Sequence, residues 1–182
     1  MALPRLAILI YFTRRKVMPN YIQNEIVFGN ISFFQKRKLL KKIAKNSKID
    51  FKILVPVPLN IWWGNTGKIH EETFKESRLD WARLNWGTKW NAIESTIISK
   101  RKKLILQFRT AWSPPYGWVV AVFNYSRLPF SLLWLDEGYD KGHFEIYKKY
   151  EEPLDEEWQR VEITEEQQKH IYELLRGKEE DA

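Results

Sequence analysis

Six basic side chains lie between positions 36 and 45, in a segment that contains no acidic residue. Like charges three or four residues apart destabilise a helix by about 0.2–0.5 kcal/mol per pair. Helix stability therefore does not explain this group, whereas contacts with the phosphates of a nucleic acid, or with another anionic partner, would. A solvated helix face is the alternative interpretation. The six residues are Lys36, Arg37, Lys38, Lys41, Lys42 and Lys45.

A second basic group lies in a predicted turn between two strands. Charged turns are common, so this group adds to the first only if the two share a surface. The tertiary structure alone decides whether they do. The group consists of Lys100, Arg101, Lys102 and Lys103.

Three tryptophans and two neighbouring residues form a different candidate site. Trp86, Trp90 and Trp112 could form a small core under two loops, where Gly87 allows a close backbone approach. Lys89 would then lie along the rings as a cation–π contact. Alternatively, the same side chains form a pocket for a planar ligand or an unstacked base, or a surface for a host protein. Packing is favoured because nine tryptophans in a small domain must mostly be buried.

Signs of catalysis are few. Asp136 and Glu137 follow a predicted strand and could hold a metal ion in a small nuclease, although a carboxylate pair beside a glycine is typical of a turn. His70, His143 and His170 lack the spacing of metal ligands. There is no cysteine, and no phosphate-binding loop, dinucleotide fingerprint or nucleophile elbow occurs. We therefore expect no cofactor and no metal, and a protein that acts by binding rather than by catalysis.

One face of the predicted sheet is a further candidate surface. Some RNA-binding domains stack bases on aromatic side chains that an open sheet face presents. The glycine–aromatic signature of those domains is missing here, and an extra strand or the last helix could cover the face. Its predicted residues are Tyr21, Gln23, Gln107, Arg109 and Tyr147.

Charge is unevenly distributed along the chain. Residues 1–90 contain 17 Lys and Arg against 6 Asp and Glu, whereas residues 150–182 contain 4 against 12. This pattern favours a surface that faces a polyanion and an acidic C-terminus that partly neutralises or gates it. The apolar run at 6–12 is far shorter than the roughly 20 residues of a membrane span. We expect a cytoplasmic protein without a membrane partner, and the oligomeric state stays open.

Hydrophobic periodicity predicts six strands and four helices. The first helix opens at a Ser32–Gln35 capping box and is expected to bury Phe33, and the second is expected to present Trp81 and Leu84 on one face. The strands are predicted at 21–28, 51–55, 93–99, 103–109, 130–135 and 142–150, and the helices at 33–46, 70–84, 114–126 and 164–176.

Without the strand and helix inserted between residues 51 and 84, the order of elements is βαββαβ. This is the split βαβ arrangement, in which both helices pack on one face of an antiparallel sheet. The sequence therefore predicts an α+β, ferredoxin-like fold. We expect an N-terminal extension at 1–17, the ferredoxin-like domain at 18–150, and an acidic C-terminal helix and tail at 151–182 that packs on the same domain.

Five short motifs occur in an order that resembles the YubB-type ferredoxin-like family carried on plasmids and phages. The resemblance covers about residues 18–150 and implies a ferredoxin-like fold and a mobile-element context, but no established activity. The motifs are Met18-Pro19-Asn20, Pro56-Val57-Pro58, Asn85-Trp86-Gly87-Thr88-Lys89-Trp90-Asn91-Ala92, Thr110-Ala111-Trp112-Ser113-Pro114-Pro115, and Glu137-Gly138 followed by Gly142.

The chain departs from that family at two places. Residues 1–17 precede the Met-Pro-Asn with which the family usually begins, and Arg109 stands where an acidic residue is expected before Thr-Ala-Trp. The sequence thus predicts a non-catalytic accessory protein of a plasmid or virus that binds DNA or RNA through its basic helix. A host-protein interaction module that uses the Trp-rich loops and a small metal-dependent nuclease are the alternatives.

Overall fold

The computed structural model of the protein describes residues 20–61, 77–138, 140–146 and 159–176. The large sheet consists of β1 (Tyr21–Phe28), β4 (Ile93–Lys100), β5 (Lys103–Ala111), β6 (Phe130–Asp136), β7 (Lys141–Ile146) and β8 (Gln159–Arg160). A separate two-stranded ribbon consists of β2 (Ala44–Lys45) and β3 (Lys48–Ile49). The helices are α1 (Phe33–Ile43), α2 (Phe51–Leu54), α3 (Arg78–Trp86), α4 (Tyr116–Ser126) and α5 (Glu165–Arg176). The predicted extension at 1–17 lies outside the described residues.

The strand order of the large sheet is β4-β5-β1-β6-β7-β8, and each neighbouring pair is antiparallel. Apart from the inserted β2, β3, α2 and α3, the order along the chain is β1, α1, β4, β5, α4 and β6, and β5 pairs between β1 and β4. This is the split βαβ topology, so the predicted α+β, ferredoxin-like fold is confirmed. Strands β7 and β8 extend the sheet beyond β6.

The main core lies between the sheet and the two helices α1 and α4. Side chains alternate across β1, so Ile26 and Phe28 point to this face and pack in one cluster with Leu39 of α1 and Val119 and Val122 of α4. Burying one such side chain stabilises the fold by about 1.5–3 kcal/mol. The predicted placement of both helices on one face follows from this alternation.

Helix α1 begins at the predicted capping box and ends earlier than predicted. Gln35 N–H donates to Ser32 Oγ at 3.3 Å, and Ser32 N–H donates to Gln35 Oε1 at 2.9 Å. The helix stops at Ile43 because Asn46 and Ser47, with φ of 51° and 60°, form the two-residue turn of the β2–β3 ribbon, where left-handed residues suit a hairpin.

The predicted strand at 51–55 is wrong, because this segment forms the short helix α2. The Asp50 carboxylate accepts a hydrogen bond from Lys52 N–H at 3.1 Å and caps the helix. Phe51 then packs its ring against Trp118, with centroids 4.5 Å apart, and against Trp86 at 5.8 Å. A short apolar run does not distinguish a strand from a buried helical turn, and here tertiary packing selects the helix.

The described part of the second predicted helix is α3. Ser77 caps it by accepting a hydrogen bond from Asp80 N–H at 3.2 Å. Trp81 is buried as expected, whereas the expectation that Leu84 shares its buried face is wrong, since 74% of Leu84 is exposed. Residues 70–76 of this prediction lie outside the described residues.

A close contact joins the end of α3 to the start of α4. Gly87 ends α3 in the left-handed conformation, with φ 83°, and a Cβ there would lie 2.7 Å from Tyr116 N. A Cβ on Gly117 would lie 2.5 Å from Asn85 O. Glycine is required on both sides of this junction because the two backbones pack directly against each other.

Helix α5 lies on the opposite face of the sheet, where Ile171 is fully buried against Leu133 and Leu135. His170 Nε2 lies 2.9 Å from Glu25 Oε2, an oxygen that also accepts a hydrogen bond from Gln107 Nε2 at 2.7 Å. The last helix therefore covers this face over the central strands, which is the alternative that the sequence left open. Of its residues, Tyr21 is half-buried, Gln23, Gln107 and Arg109 are buried, and Tyr147 lies outside the described residues.

No helix in the described part of the chain is long and apolar enough to cross a membrane.

The α3–α4 junction makes a stability prediction. Gly87→Ala adds a Cβ against the α4 backbone at a position with positive φ, so we expect the free energy of unfolding to fall by about 1–3 kcal/mol. Urea denaturation followed by tryptophan fluorescence measures this. Gly29→Ala is the matched control, since nothing lies within 4 Å of its Cβ position, and an equal loss in both variants would contradict the packing argument.

Candidate nucleic-acid interface

The side chain of Lys36 joins α1 to the turn between β4 and β5. Its ammonium donates hydrogen bonds to Ser99 Oγ at 3.3 Å, to the carbonyl of Lys100, and to the carbonyl of Arg101 at 3.3 Å. Beside it, Ile31 N–H donates to the carbonyl of Lys102 at 3.0 Å. The two basic groups that are distant in sequence are therefore neighbours in space.

Lys36 is itself buried, so the expectation that it contacts nucleic acid directly does not fit its position. Its ammonium group binds carbonyl and hydroxyl oxygens of the protein itself. The nine remaining residues of the two groups are all exposed, and we call them the basic face. They are Arg37, Lys38, Lys41, Lys42, Lys45, Lys100, Arg101, Lys102 and Lys103.

Among the residues that the structure describes, no carboxylate pairs with the basic face. Helix α1 contains no carboxylate, and none of the nine cations forms a salt bridge with a described residue. Lys38 lies on the α4 side of the helix, where its ammonium is 5.8 Å from the centroid of the Tyr125 ring. Arg37 and Lys41 lie on the other side, toward β4.

A groove of about 540 Å³ runs between α1 and the edge strand β4. Leu40 and Ile97 supply apolar surface within it, while Arg37 and Lys41 place two cations along it. An apolar groove bordered by positive charge suits an elongated anionic ligand that also carries flat or apolar groups. The full lining is Phe33, Lys36, Arg37, Leu40, Lys41, Ala44, Ser47, Ile97 and Ser99.

Two phenylalanines at the start of α1 are exposed, and sequence reasoning missed them. Phe33 was expected in the core, but it is 69% exposed, and Phe34 is 80% exposed. Their rings meet edge to face with centroids 5.8 Å apart. A signal was present, because Ser32 is the cap and the two aromatic residues therefore occupy the first two helical positions, where adjacent side chains cannot both face one core.

The tryptophan set divides into a core residue and a surface group. Trp86 is fully buried, and its indole N–H donates to the carbonyl of Val55 at 2.9 Å. Trp90 and Trp112 are 37% and 50% exposed. The Lys89 ammonium lies 5.2 Å and 5.8 Å from their ring centroids. The three tryptophans therefore do not form one small core, although the expected contact of Lys89 with the rings is present.

Hydrogen bonds join the loop after α3 to the end of β5 and to the loop before α4. Thr88 Oγ1 donates to the carbonyl of Ala111 at 2.8 Å, and Ser113 Oγ donates to the carbonyl of Gly87 at 2.5 Å. Asn91 reaches the insertion, where its carboxamide oxygen accepts from Phe51 N–H at 2.8 Å. Most polar residues of this motif thus serve to hold the fold, and Lys89, Trp90 and Trp112 remain at the surface.

The carboxylate pair after β6 forms part of a turn. Asp136 Oδ1 accepts a hydrogen bond from Asp140 N–H at 2.7 Å, and its Oδ2 accepts from Asn20 Nδ2 at 3.3 Å. Glu137 is exposed. Within the described ranges, no group of three or more acidic or histidine side chains is placed to hold a metal ion.

Comparison with known proteins agrees with this architecture. Residues 85–174 match the family model described as "Ferredoxin-like domain in Api92-like protein". The fold is ferredoxin-like. The matched segment begins at Asn85, includes the surface tryptophans and ends in α5, so β1 and the basic helix α1 lie before it. Neither a curated protein nor a solved structure matches the chain.

The buried ammonium leads to the second prediction. Lys36→Met keeps the apolar stem but removes three hydrogen bonds from a charged donor, so we expect the free energy of unfolding to fall by about 1.5–3 kcal/mol. Urea denaturation of the variant beside Lys42→Met, which changes an exposed lysine of the same helix, measures the difference. Equal stability of the two variants would show that the bridge to the turn contributes nothing.

Proposed function

We propose that this protein binds nucleic acid through the basic face and acts without catalysis. The observation that carries the proposal is the position of the Lys36 ammonium, which brings the cations of α1 and those of the β4–β5 turn side by side. Nine exposed cations without a described acidic partner favour a polyanion, because each phosphate contact releases condensed counterions from the nucleic acid.

Repulsion among the lysines of α1 favours a role in binding an anion over a role in keeping the protein soluble. Lys38 repels Lys41 and Lys42 across one turn of α1, and each such pair costs about 0.2–0.5 kcal/mol. A surface that served solubility alone would mix both signs of charge. A bound polyanion reduces this repulsion between the lysines, and the energy gained in this way adds to the affinity of the protein for the polyanion.

The sequence motifs suggest a biological setting. The ordered motifs from Met18 to Gly142 resemble the YubB-type proteins of plasmids and phages, and the match to a ferredoxin-like domain family supports the fold that this resemblance implies. We therefore propose an accessory role for a mobile genetic element, inside the host cell, where nucleic acid is the abundant polyanion.

Charge reversal provides the third prediction. Replacing Lys38, Lys41, Lys42 and Lys45 with Glu should abolish binding of labelled DNA and RNA in fluorescence anisotropy. Binding by the unmodified protein should weaken steadily between about 50 and 200 mM salt. Single Lys→Gln changes in the basic face should each lower the salt slope by up to about 0.9.

Lys169→Gln is the control for those single changes, since Lys169 is an exposed lysine on α5, across the sheet from α1. An unchanged affinity in the quadruple variant would remove the basis of the proposal. The same reactions with magnesium or manganese test the nuclease alternative at Asp136 and Glu137, because cleavage of the labelled strands would support that alternative.

A second candidate function uses the surface formed by Lys89, Trp90 and Trp112, which would engage a host protein. The specific observation is the backbone of Trp112, whose φ of 73° places a large side chain in the left-handed region at a cost of about 1–2 kcal/mol. Strain of this kind occurs preferentially at functional sites. Exposed tryptophans are also the side chains most enriched at the centres of protein interfaces.

The fourth prediction concerns this surface. Trp90→Ala combined with Trp112→Asn should leave the protein folded, since asparagine tolerates positive φ, and should remove any partner that nuclease-treated host extract supplies. Trp86→Ala is unsuitable for this test because it opens the core, at about 3–5 kcal/mol. Affinity capture with Leu84→Ser as the exposed apolar control checks the result, and capture that survives the double variant would exclude this surface.

A further inference from the structure

The exposed ring pair of Phe33 and Phe34 lies where the basic face meets the groove between α1 and β4. Phe33 lines the groove together with Arg37 and Lys41, and most of the surface of both rings is accessible to solvent. Leu59 and Leu84 are also exposed, and such single residues are common on protein surfaces. A pair of rings in mutual contact beside several cations is a different feature, because it combines flat apolar surface with positive charge.

We propose that the groove and the Phe33–Phe34 pair form a site for single-stranded nucleic acid, with bases stacked on the rings and phosphates on Arg37 and Lys41. This proposal rests on the proposed function and specifies its substrate. In a duplex the base faces are stacked on one another and are not available to a side chain. A single strand exposes them, and proteins that bind single strands combine a positive groove with aromatic side chains for this reason.

The dimensions of the groove agree with this occupant. The part of its lining that lies on α1 runs from Phe33 to Lys41, which corresponds to about 12 Å at the 1.5 Å rise of an α-helix. At about 3.4 Å per stacked nucleotide, that length accommodates roughly four nucleotides. Arg37 and Lys41 lie about 6 Å apart along the helix axis, which is close to the rise of two stacked nucleotides.

The composition of the groove also favours a single strand over an acidic peptide. Leu40, Ala44 and Ile97 form apolar surface within it, which suits base and sugar faces that carry no charge. Ser47 and Ser99 supply hydroxyl groups without the base-specific pattern of a sequence reader. The phosphates of the backbone, one per nucleotide, complement the charges of Arg37 and Lys41. Because every nucleotide carries the same phosphate, binding is expected to tolerate many sequences.

The fifth prediction separates stacking from charge. Phe33→Leu combined with Phe34→Leu should weaken binding of labelled oligothymidine and oligouridine roughly tenfold or more, because leucine keeps the apolar surface but removes the ring face. Binding of a DNA duplex of equal length should change less than twofold. Phe34→Trp should retain the affinity for single strands, and Leu84→Ser should behave like the unmodified protein. Fluorescence anisotropy at fixed salt gives all these values, and the DNA and RNA arms show which strand is preferred.

The outcomes separate this inference from the proposed function. If charge reversal abolishes binding but the leucine double variant binds single strands normally, the basic face binds nucleic acid and the stacking site is refuted. An equal loss for single strands and duplex in the leucine variant also refutes stacking. If the unmodified protein binds neither form, both proposals fail, and the ring pair becomes a candidate contact for a protein.

Discussion

A buried ammonium is the interaction on which the candidate interface depends. An isolated charge inside a protein is strongly unfavourable unless hydrogen bonds surround it, and Lys36 satisfies this requirement with oxygens from Ser99, Lys100 and Arg101. Because these oxygens belong to the end of β4 and the turn that follows it, the requirement orients the turn against α1. One lysine of a basic stretch thus organises the others. Lys36 is buried, and the exposed cations on both sides of it form one surface.

A second constraint is the junction between α3 and α4. Gly87 and Gly117 allow two backbones to approach within distances that a Cβ would block, and side chains of Thr88 and Ser113 then bond across the two loops. This explains why the two tryptophan-containing strings occur together in one chain, since each needs the other for its hydrogen bonds. Trp86 and Phe51 extend the junction into the core, where the Phe51 ring also meets Phe108 of β5, so the described parts of the inserted segment pack against the sheet.

Local patterns predicted the elements whose signals do not depend on distant residues. The Ser32–Gln35 capping box, the alternation along β1 and the β4–β5 hairpin each rest on neighbours in sequence. The apolar run at 51–55 fits both a strand and a buried helical turn. The Asp50 cap and the rings of Trp86, Phe108 and Trp118 around Phe51 select the helix. Helical spacing alone predicts Phe33 in the core, whereas the residue lies in the first turn of α1 and is exposed.

The same division holds for the candidate site. A basic helix and a basic turn are visible as strings of residues, but the contact between them is made by one lysine and three oxygens more than 60 positions away. The open sheet face that the pattern suggested is filled by side chains such as Gln107 and Glu25, with α5 packed beside them. Sequence spacing does not record which helix covers which face.

By itself, the sequence determined the split βαβ order and the excess of positive charge along α1, because periodicity, capping and charge are local properties of the chain. Only the tertiary structure decided which of these residues meet at a surface. It placed Lys36 inside and Phe33 outside, and it divided the tryptophans between core and surface. The physical reason is that burial and hydrogen bonding depend on contacts between segments far apart in sequence. A buried charge needs oxygens that hydrogen-bond to it, and a buried ring needs a space of matching shape.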